Sequence, residues 1–152
     1  MNEPSDHKPG RILSLLQNKC PRCRKGNLFK TSNAYHLRSF MRMHNNCPVC
    51  GQPIELEVGF YYGTSYVSYM LSIFISVLSF ILWWLVIGFS FKDDRLFWWI
   101  GFNAMLLIGI QPLIMRLSRT TWLWFFVRYR KNWQNEMVEK PERQNEDLKN
   151  AW

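Results

Sequence analysis

Two long stretches without a charged side chain constrain this chain more than any other feature of its sequence. Residues 65–91 and residues 96–115 contain no Asp, Glu, Lys, Arg or His. A helix needs about 20 apolar residues to cross the hydrocarbon core of a bilayer, and both stretches reach that length. The mean hydropathy of −0.18 resembles that of a soluble protein, because the average conceals this segregation. The sequence predicts two transmembrane helices and excludes both a single soluble domain and a large enzyme.

The basic residues lie on one side of these two spans. Of the 19 Lys and Arg residues, nine precede residue 59 and eight lie from residue 116 onward. The connection over residues 92–95 holds two basic and two acidic residues. Because cytoplasmic segments carry the excess of Lys and Arg, both termini are expected in the cytoplasm. A second span shifted to residues 106–127 would place Arg116 and Arg119 near the bilayer centre, at about 2.5–3.5 kcal/mol each, so we end it near residue 115.

The four cysteines form two pairs with metal-ligand spacing. Cys20 and Cys23 flank Pro-Arg, Cys47 and Cys50 flank Pro-Val, and 23 residues separate the pairs. Two intervening residues allow both thiols of a pair to point at one ion, so two such turns supply a tetrahedral site. The spacing predicts that all four cysteines bind one metal ion.

The alternatives to a metal site are two disulfides or four unrelated buried thiols. A reducing cytoplasm disfavours disulfides. Zinc is the favoured ion, but the same thiolates also bind a single iron of the rubredoxin type, and ligand identity does not separate the two. A site with four protein ligands has no open position for water or substrate, so its expected role is structural. His36 and His44 lie between the pairs and are expected outside the ligand set.

The segment around the cysteines, residues 19–58, is expected to fold as a small β zinc-ribbon-like module. Apolar residues at 28–29 and alternating at 54, 56 and 58 resemble short strands. Gly26 and Gly51 follow the pairs at positions where a positive φ is often needed. Because so short a segment buries little core, the metal should supply much of the folding free energy. The segment is basic, which would suit nucleic acid, but anionic lipid headgroups account for the same charge.

Serine recurs at steps of three and four along the first span, which places five hydroxyls on one helical face: Ser65, Ser68, Ser72, Ser76 and Ser79. Small residues allow helices to approach closely, and serine can hydrogen-bond across the contact. We expect this stripe to pack on the second span at Gly101, Ala104 and Gly109, or else on another membrane protein.

The remaining segments complete a membrane α-helical hairpin. Residues 116–134 combine Arg with Trp and Phe, which predicts an amphipathic helix lying in the membrane interface. The expected order is an N-terminal tail over residues 1–18, the cysteine module over 19–58, an aromatic approach and transmembrane helix 1 over 59–91, an external loop over 92–95, transmembrane helix 2 over 96–115, the interfacial helix over 116–134 and a flexible tail over 135–152.

The order of these motifs resembles a known family, the uncharacterised bacterial membrane proteins called domain of unknown function 983, in the version found in Bacteroidetes. The matching motifs are Cys20-Pro-Arg-Cys23 with Gly26, Cys47-Pro-Val-Cys50-Gly51, Gly59-Phe-Tyr-Tyr-Gly63-Thr-Ser-Tyr-Val-Ser-Tyr69, Gln111-Pro112 and Phe125-Phe126-Val-Arg-Tyr129. The resemblance implies an inner-membrane protein without assigned activity. Members are often encoded near haem-copper oxidase genes, which implies a role beside respiratory complexes. The family has no active-site residues to carry over.

The sequence therefore predicts a non-catalytic, zinc-binding protein of the bacterial inner membrane that serves as an accessory or assembly factor of a larger membrane complex, a respiratory oxidase being one candidate. Its expected partners are the lipid bilayer and other membrane proteins, with no small-molecule substrate. One alternative is a membrane-tethered, rubredoxin-like electron carrier with one iron in the four-thiolate site. A second is a zinc-dependent regulator that binds nucleic acid or a soluble partner.

Overall fold

The computed structural model describes residues 10–57, 59–88 and 94–138. Within them, two long antiparallel helices carry a compact cysteine module at one end. The helices, in chain order, are α1 (Arg11–Leu16), a 3-10 helix (Phe60–Gly63) that leads directly into α2 (Thr64–Ile87), and α3 (Arg95–Phe126). The predictions for residues 1–9, for residue 58, for residues 89–93 and for residues 139–152 lie outside the described residues.

Both α2 and α3 are long and apolar enough to cross a membrane. At 1.5 Å per residue, their lengths are about 36 Å and 48 Å, against about 30 Å for a hydrocarbon core. Only 6% of the most apolar window of the first helix and 11% of that of the second are buried inside the protein. A core helix of a soluble protein would be mostly buried, so this exposure agrees with the two predicted spans.

Aromatic pairs hold α2 and α3 together along their length. Near the end away from the module, the rings of Phe80 and Trp99 lie 5.1 Å apart, and those of Trp83 and Phe102 lie 6.1 Å apart. At the module end, the Phe60 ring lies 5.1 Å from the Phe126 ring. The start of α2 therefore lies beside the last turns of α3, and the start of α3 lies beside the end of α2.

The predicted β-ribbon is wrong, because the described residues contain no strand. The cysteine segment is instead a series of tight turns joined by isolated bridges, which pair Lys19 with Asn27, Phe29 with Met43 and Asn46 with Pro53. The apolar residues predicted as strands remain important, since Leu28, Phe29 and Ile54 are buried in the core of the module.

The interfacial helix predicted over residues 116–134 is also wrong as a separate element. Helix α3 continues without interruption through Pro112 and Arg116 and ends at Phe126. Its last turns do not have the exposed polar face of an interfacial helix, because the polar side chains of Arg116, Ser118 and Thr120 are buried. Leu123 of this segment belongs to the module core, whereas Phe125 and Phe126 at the end of the helix stay exposed.

Part of the predicted N-terminal tail is folded. Helix α1 packs against α3, and Ser14 within it is fully buried. The hydroxyl of Thr120 on α3 donates to Oδ1 of Asn18, just after α1, at 2.7 Å. These contacts attach the chain before the first cysteine to the same helix that carries the rest of the module.

Candidate metal centre

The four cysteine side chains converge on one point in the module. All four are buried, and their Sγ atoms lie within 4.8 Å of one another. Cys20 Sγ is 3.7 Å from Cys50 Sγ, and Cys23 Sγ is 3.8 Å from Cys47 Sγ. A tetrahedral ion with metal–sulfur bonds of about 2.3 Å has sulfur–sulfur edges of about 3.8 Å. These separations therefore fit one four-coordinate metal ion.

The disulfide alternative does not fit this arrangement. A disulfide requires two sulfur atoms at about 2.05 Å, whereas the four cysteines are free thiols at nearly twice that separation. Both of these pairs also join cysteines from different C-x-x-C turns, as expected when two turns bind a common ion. The structure thus brings together all four residues predicted as ligands.

The two C-x-x-C turns have the same backbone design. The N–H of Arg24 donates to the carbonyl of Cys20 at 2.8 Å, and the N–H of Gly51 donates to the carbonyl of Cys47 at 2.9 Å. Arg24 and Gly51 both follow the second cysteine of a pair and both have a positive φ, of 56° and 70°. The left-handed residue reverses the chain, so that both thiols of each pair face the same side.

The positive φ predicted for Gly26 is wrong, although a glycine is still required there. The left-handed position falls two residues earlier, at Arg24. Gly26 instead lies against the sulfur cluster, where its N–H points to Cys23 Sγ at 3.5 Å and a Cβ would overlap with Cys47 Sγ. Close approach to sulfur, and not backbone conformation, excludes a side chain at this position.

The electrostatics of the cluster favour a bound cation. Hydrogen bonds to Cys23 and the other thiols, reinforced by burial, raise the pKa of the Cys20 thiol. Hydrogen bonds from Cys20 lower the pKa of Cys23, and they lower the pKa of Cys47 to about 7. The thiols therefore share protons, since four buried thiolates at this separation would repel one another. A metal ion that replaces those protons would neutralise the repulsion.

The two histidines lie apart from the cluster. Among the described residues, the clustered ligand atoms are those of the four cysteines alone. His36 is exposed, and its Nδ1 is hydrogen-bonded to the hydroxyl of Ser39 at 2.8 Å. His44 is half-buried, and its backbone N–H donates to the carbonyl of Leu28 at 3.0 Å. Ligand identity therefore points to a four-sulfur site, which is compatible with zinc or with a single iron.

Arg116 attaches the module to α3. Its side chain is only 3% exposed, and its guanidinium lies 4.8 Å from the centre of the Phe29 ring. The three guanidinium nitrogens donate to three backbone carbonyls of one loop, those of Phe40 at 2.8 Å, Ser32 at 3.0 Å and Asn33 at 2.9 Å. In the sequence Arg116 stands out only as a charge that ends a span, and no local pattern marks its structural role.

Other polar groups of α3 bind the module backbone in the same way. Arg119 donates to the carbonyl of Met41 at 3.3 Å, and Trp124 Nε1 donates to that of Lys19 at 3.3 Å. Between them, Leu123 is fully buried in the same hydrophobic cluster as the four cysteines. The metal centre and the end of α3 therefore share one core.

The serine stripe contributes a polar contact between α2 and α3. Ser79 donates to Asn103 Oδ1 at 2.9 Å, Asn103 Nδ2 donates to Ser76 Oγ at 3.2 Å, and Trp99 Nε1 donates to Ser79 Oγ at 3.3 Å. Nearer the module, Ser65 and Ser72 donate to carbonyls of their own helix turn. Ser76 and Ser79 thus lie at the interface between the helices.

The small residues expected to face this stripe do not face it. Gly101, Ala104 and Gly109 are exposed, and a Cβ at either glycine would meet nothing within 4 Å. Two residues correspond to about 200° around a helix, so Gly101 lies opposite both Trp99 and Asn103. The larger side chains form the contact, and the small residues point away from α2.

Comparison of the chain with protein-family models, with curated proteins and with solved structures finds no match. The resemblance to the domain of unknown function 983 proteins therefore stays a prediction, and the proposals below depend on the geometry of the site.

Proposed function

We propose that this chain is an integral protein of the bacterial inner membrane that holds zinc in a cytoplasmic four-thiolate centre and acts, without catalysis, as an accessory or assembly factor of a larger membrane complex. The observation that carries this proposal is the shared core of the four cysteines and Leu123 on α3. Because of that core, the ion would stabilise a module held rigidly against a membrane anchor rather than one tethered by a linker.

The arrangement of the two ends of the hairpin supports the membrane topology. Three parts of the chain lie at the same end of α2 and α3: the cysteine module, α1 and residues 127–138. Residues 127–138 contact the module there, because the backbone N–H of Arg130 donates to the carbonyl of Arg22 at 3.2 Å. That end carries most of the Lys and Arg residues. The positive-inside rule then places it in the cytoplasm.

One loop of the module supports a position directly on the membrane surface. The hydroxyl of Tyr35 donates to the carbonyl of Gly109, in the apolar part of α3, at 3.1 Å. Leu37, two residues later, is 70% exposed. A loop that reaches down an apolar helix with exposed Tyr and Leu side chains suits the boundary between headgroups and acyl chains, where aromatic residues concentrate.

The closed ligand set supports a structural role for the ion. Four buried thiolates complete a tetrahedral site, so no coordination position is left for substrate or water. The surface available to partners is elsewhere: the face of α3 that points away from α2 exposes large apolar residues such as Phe97, Met105 and Ile108. A neighbouring membrane subunit or lipid would cover that face. A respiratory oxidase is the candidate complex that the family resemblance implies.

The experiment is purification of the tagged full chain in a mild neutral detergent, with elemental analysis and identification of co-eluting proteins. We expect one zinc per chain and co-elution of subunits of one membrane complex, both lost in the Cys20→Ser variant. A zinc-loaded chain that elutes alone would refute the accessory role. Stoichiometric iron in a coloured protein would favour the electron carrier, and a metal-free wild-type protein would refute the metal centre.

A further inference from the structure

A basic cavity lies beside the metal centre, between the first cysteine pair and the segment that follows α3. Its volume is about 300 Å³, and its charged lining residues are Arg22, Arg128, Arg130 and Glu136. This volume lies at the small end of the range for small-molecule sites. The proposed function gives the cavity no role.

Arg22 is the buried group of this cavity. Its side chain is 4% exposed, and its Nη2 donates to the backbone carbonyls of Glu136 at 2.8 Å and Met137 at 3.3 Å. Its Nη1 is buried and has no hydrogen-bond partner in the part of the chain that the structure describes. A buried donor without an acceptor is unfavourable, and more so on a charged group. An acceptor supplied by a ligand would remove that cost.

The charges around the cavity do not balance. Glu136 pairs with Arg130, whose Nε lies 3.4 Å from Glu136 Oε2. Arg128 is exposed and has no ion pair within the described ranges, so it and Arg22 present two positive charges without a counter-charge there. The planar guanidinium group binds phosphate through two parallel hydrogen bonds, and phosphate carries up to two negative charges near neutral pH.

We propose that this cavity binds a phosphate group, carried either by a lipid headgroup or by a soluble phosphorylated compound. A phosphate oxygen accepts from Arg22 Nη1, and Arg128 neutralises the second charge. The apolar lining by Leu56 and Phe126 suits the carbon skeleton attached to the phosphate. Neither the identity of the metal nor the accessory role enters this inference.

The test uses the zinc-loaded full chain in neutral detergent and measures the midpoint of thermal unfolding, because a ligand that binds the native state raises it. One arm adds pyrophosphate, and the other adds phosphatidylglycerol, with a phosphate-free diacylglycerol as the lipid control. We expect the midpoint to rise with pyrophosphate if the source is soluble, and with phosphatidylglycerol alone if it is lipid. No rise in either arm would overturn the proposal.

Arg128→Gln is the informative variant, because Arg128 is exposed and its loss should not impair folding. We expect it to weaken the apparent affinity about tenfold or more, the effect of one hydrogen bond to a charged group. Lys131→Gln is the matched control, since Lys131 is exposed, carries the same charge and does not line the cavity. Equal weakening by both variants would indicate non-specific attraction and overturn the site.

A further variant separates phosphate from the chain's own carboxylates. Residues 139–152 contain four acidic residues, any of which would offer acceptors to Arg22. A chain ending at Val138 should keep the response to pyrophosphate or phosphatidylglycerol seen in the full chain. A response that appears only after truncation would identify the tail as the native occupant and would refute the proposal.

Discussion

Gly63 lies against the indole ring of Trp122, with no space between them for a side chain. A Cβ at Gly63 would overlap with the Cζ2 and Cη2 atoms of the ring. Trp122 is held in this position because its Nε1 donates to the carbonyl of Phe60 at 2.8 Å and its ring packs 5.1 Å from that of Phe126. This contact sets the distance between the start of α2 and α3 directly beside the module.

Gly63→Ala should lower the free energy of unfolding by about 1–3 kcal/mol, the usual cost of an added methyl group in a packed site. The effect is steric, because Gly63 has an ordinary φ of −66°. Gly101→Ala is the control, since a Cβ there meets nothing within 4 Å and alanine favours a helix. Denaturant unfolding in detergent measures both, and equal destabilisation would contradict the packing described.

Gly26→Ala should weaken metal binding by about 10–100-fold, a loss typical of changes next to the ligands. The added methyl group would overlap with Cys47 Sγ and displace one of the four thiolates. Competition with a coloured zinc chelator measures the affinity. Gly10→Ala, in open space, should bind zinc like the wild type. An unchanged affinity of the Gly26 variant would show that Gly26 does not touch the centre.

Cys20→Ser and Cys50→Ser should each abolish stoichiometric metal binding and unfold the cysteine segment, while α2 and α3 remain helical. A segment of about 40 residues with little core depends on the ion for its folding free energy. Elemental analysis measures the bound metal, and protease susceptibility of residues 19–57 measures the unfolding of the cysteine segment. Circular dichroism measures the helical content of α2 and α3. Stripping zinc from the wild type should reproduce them. A serine variant that keeps its metal and its folded module would refute the four-thiolate site.

Arg116→Lys should destabilise the contact between the module and α3 by about 3 kcal/mol or more, although the charge is conserved. Lysine cannot reach the three carbonyls that the guanidinium binds, and each buried acceptor left unpaired costs about 1–3 kcal/mol. The rate of zinc release to a chelator reports the loosened module. Arg38→Lys, at an exposed position, should leave that rate unchanged. Equal rates for both variants would contradict the anchoring role.

Asn103→Ala should weaken the packing of α2 on α3 by about 0.6–1.7 kcal/mol, the range measured for polar contacts between membrane helices. The substitution removes the hydrogen bonds of Asn103 with Ser76 and Ser79. Unfolding by an ionic detergent measures the change. Gln111→Ala is the matched control, because Gln111 is an exposed amide on the same helix. A larger loss of stability in the Gln111 variant than in the Asn103 variant would show that the face of α3 that carries Asn103 is not the one that contacts α2.

The ligand set was predictable because it is encoded by local spacing. Two residues between the thiols of each pair bring both sulfurs to one side of a turn, whatever the rest of the chain does. The positive φ of Gly51 follows from the same local geometry. At Gly26 the prediction of a positive φ was wrong, because the constraint there comes from Cys47, 21 positions away in the chain.

The sequence by itself determined two long uncharged segments, the set of four thiol ligands and the segregation of basic residues, because length, spacing and charge can be read along the chain without knowledge of how it folds. Only the tertiary structure decided what the module rests on and which face of α3 meets α2. Arg116 and the carbonyl of Ser32 are separated by 84 positions, and Thr120 and Asn18 by 102. Such contacts follow from the folded positions of whole elements, so an arginine that looked like a membrane boundary became the anchor of the metal centre.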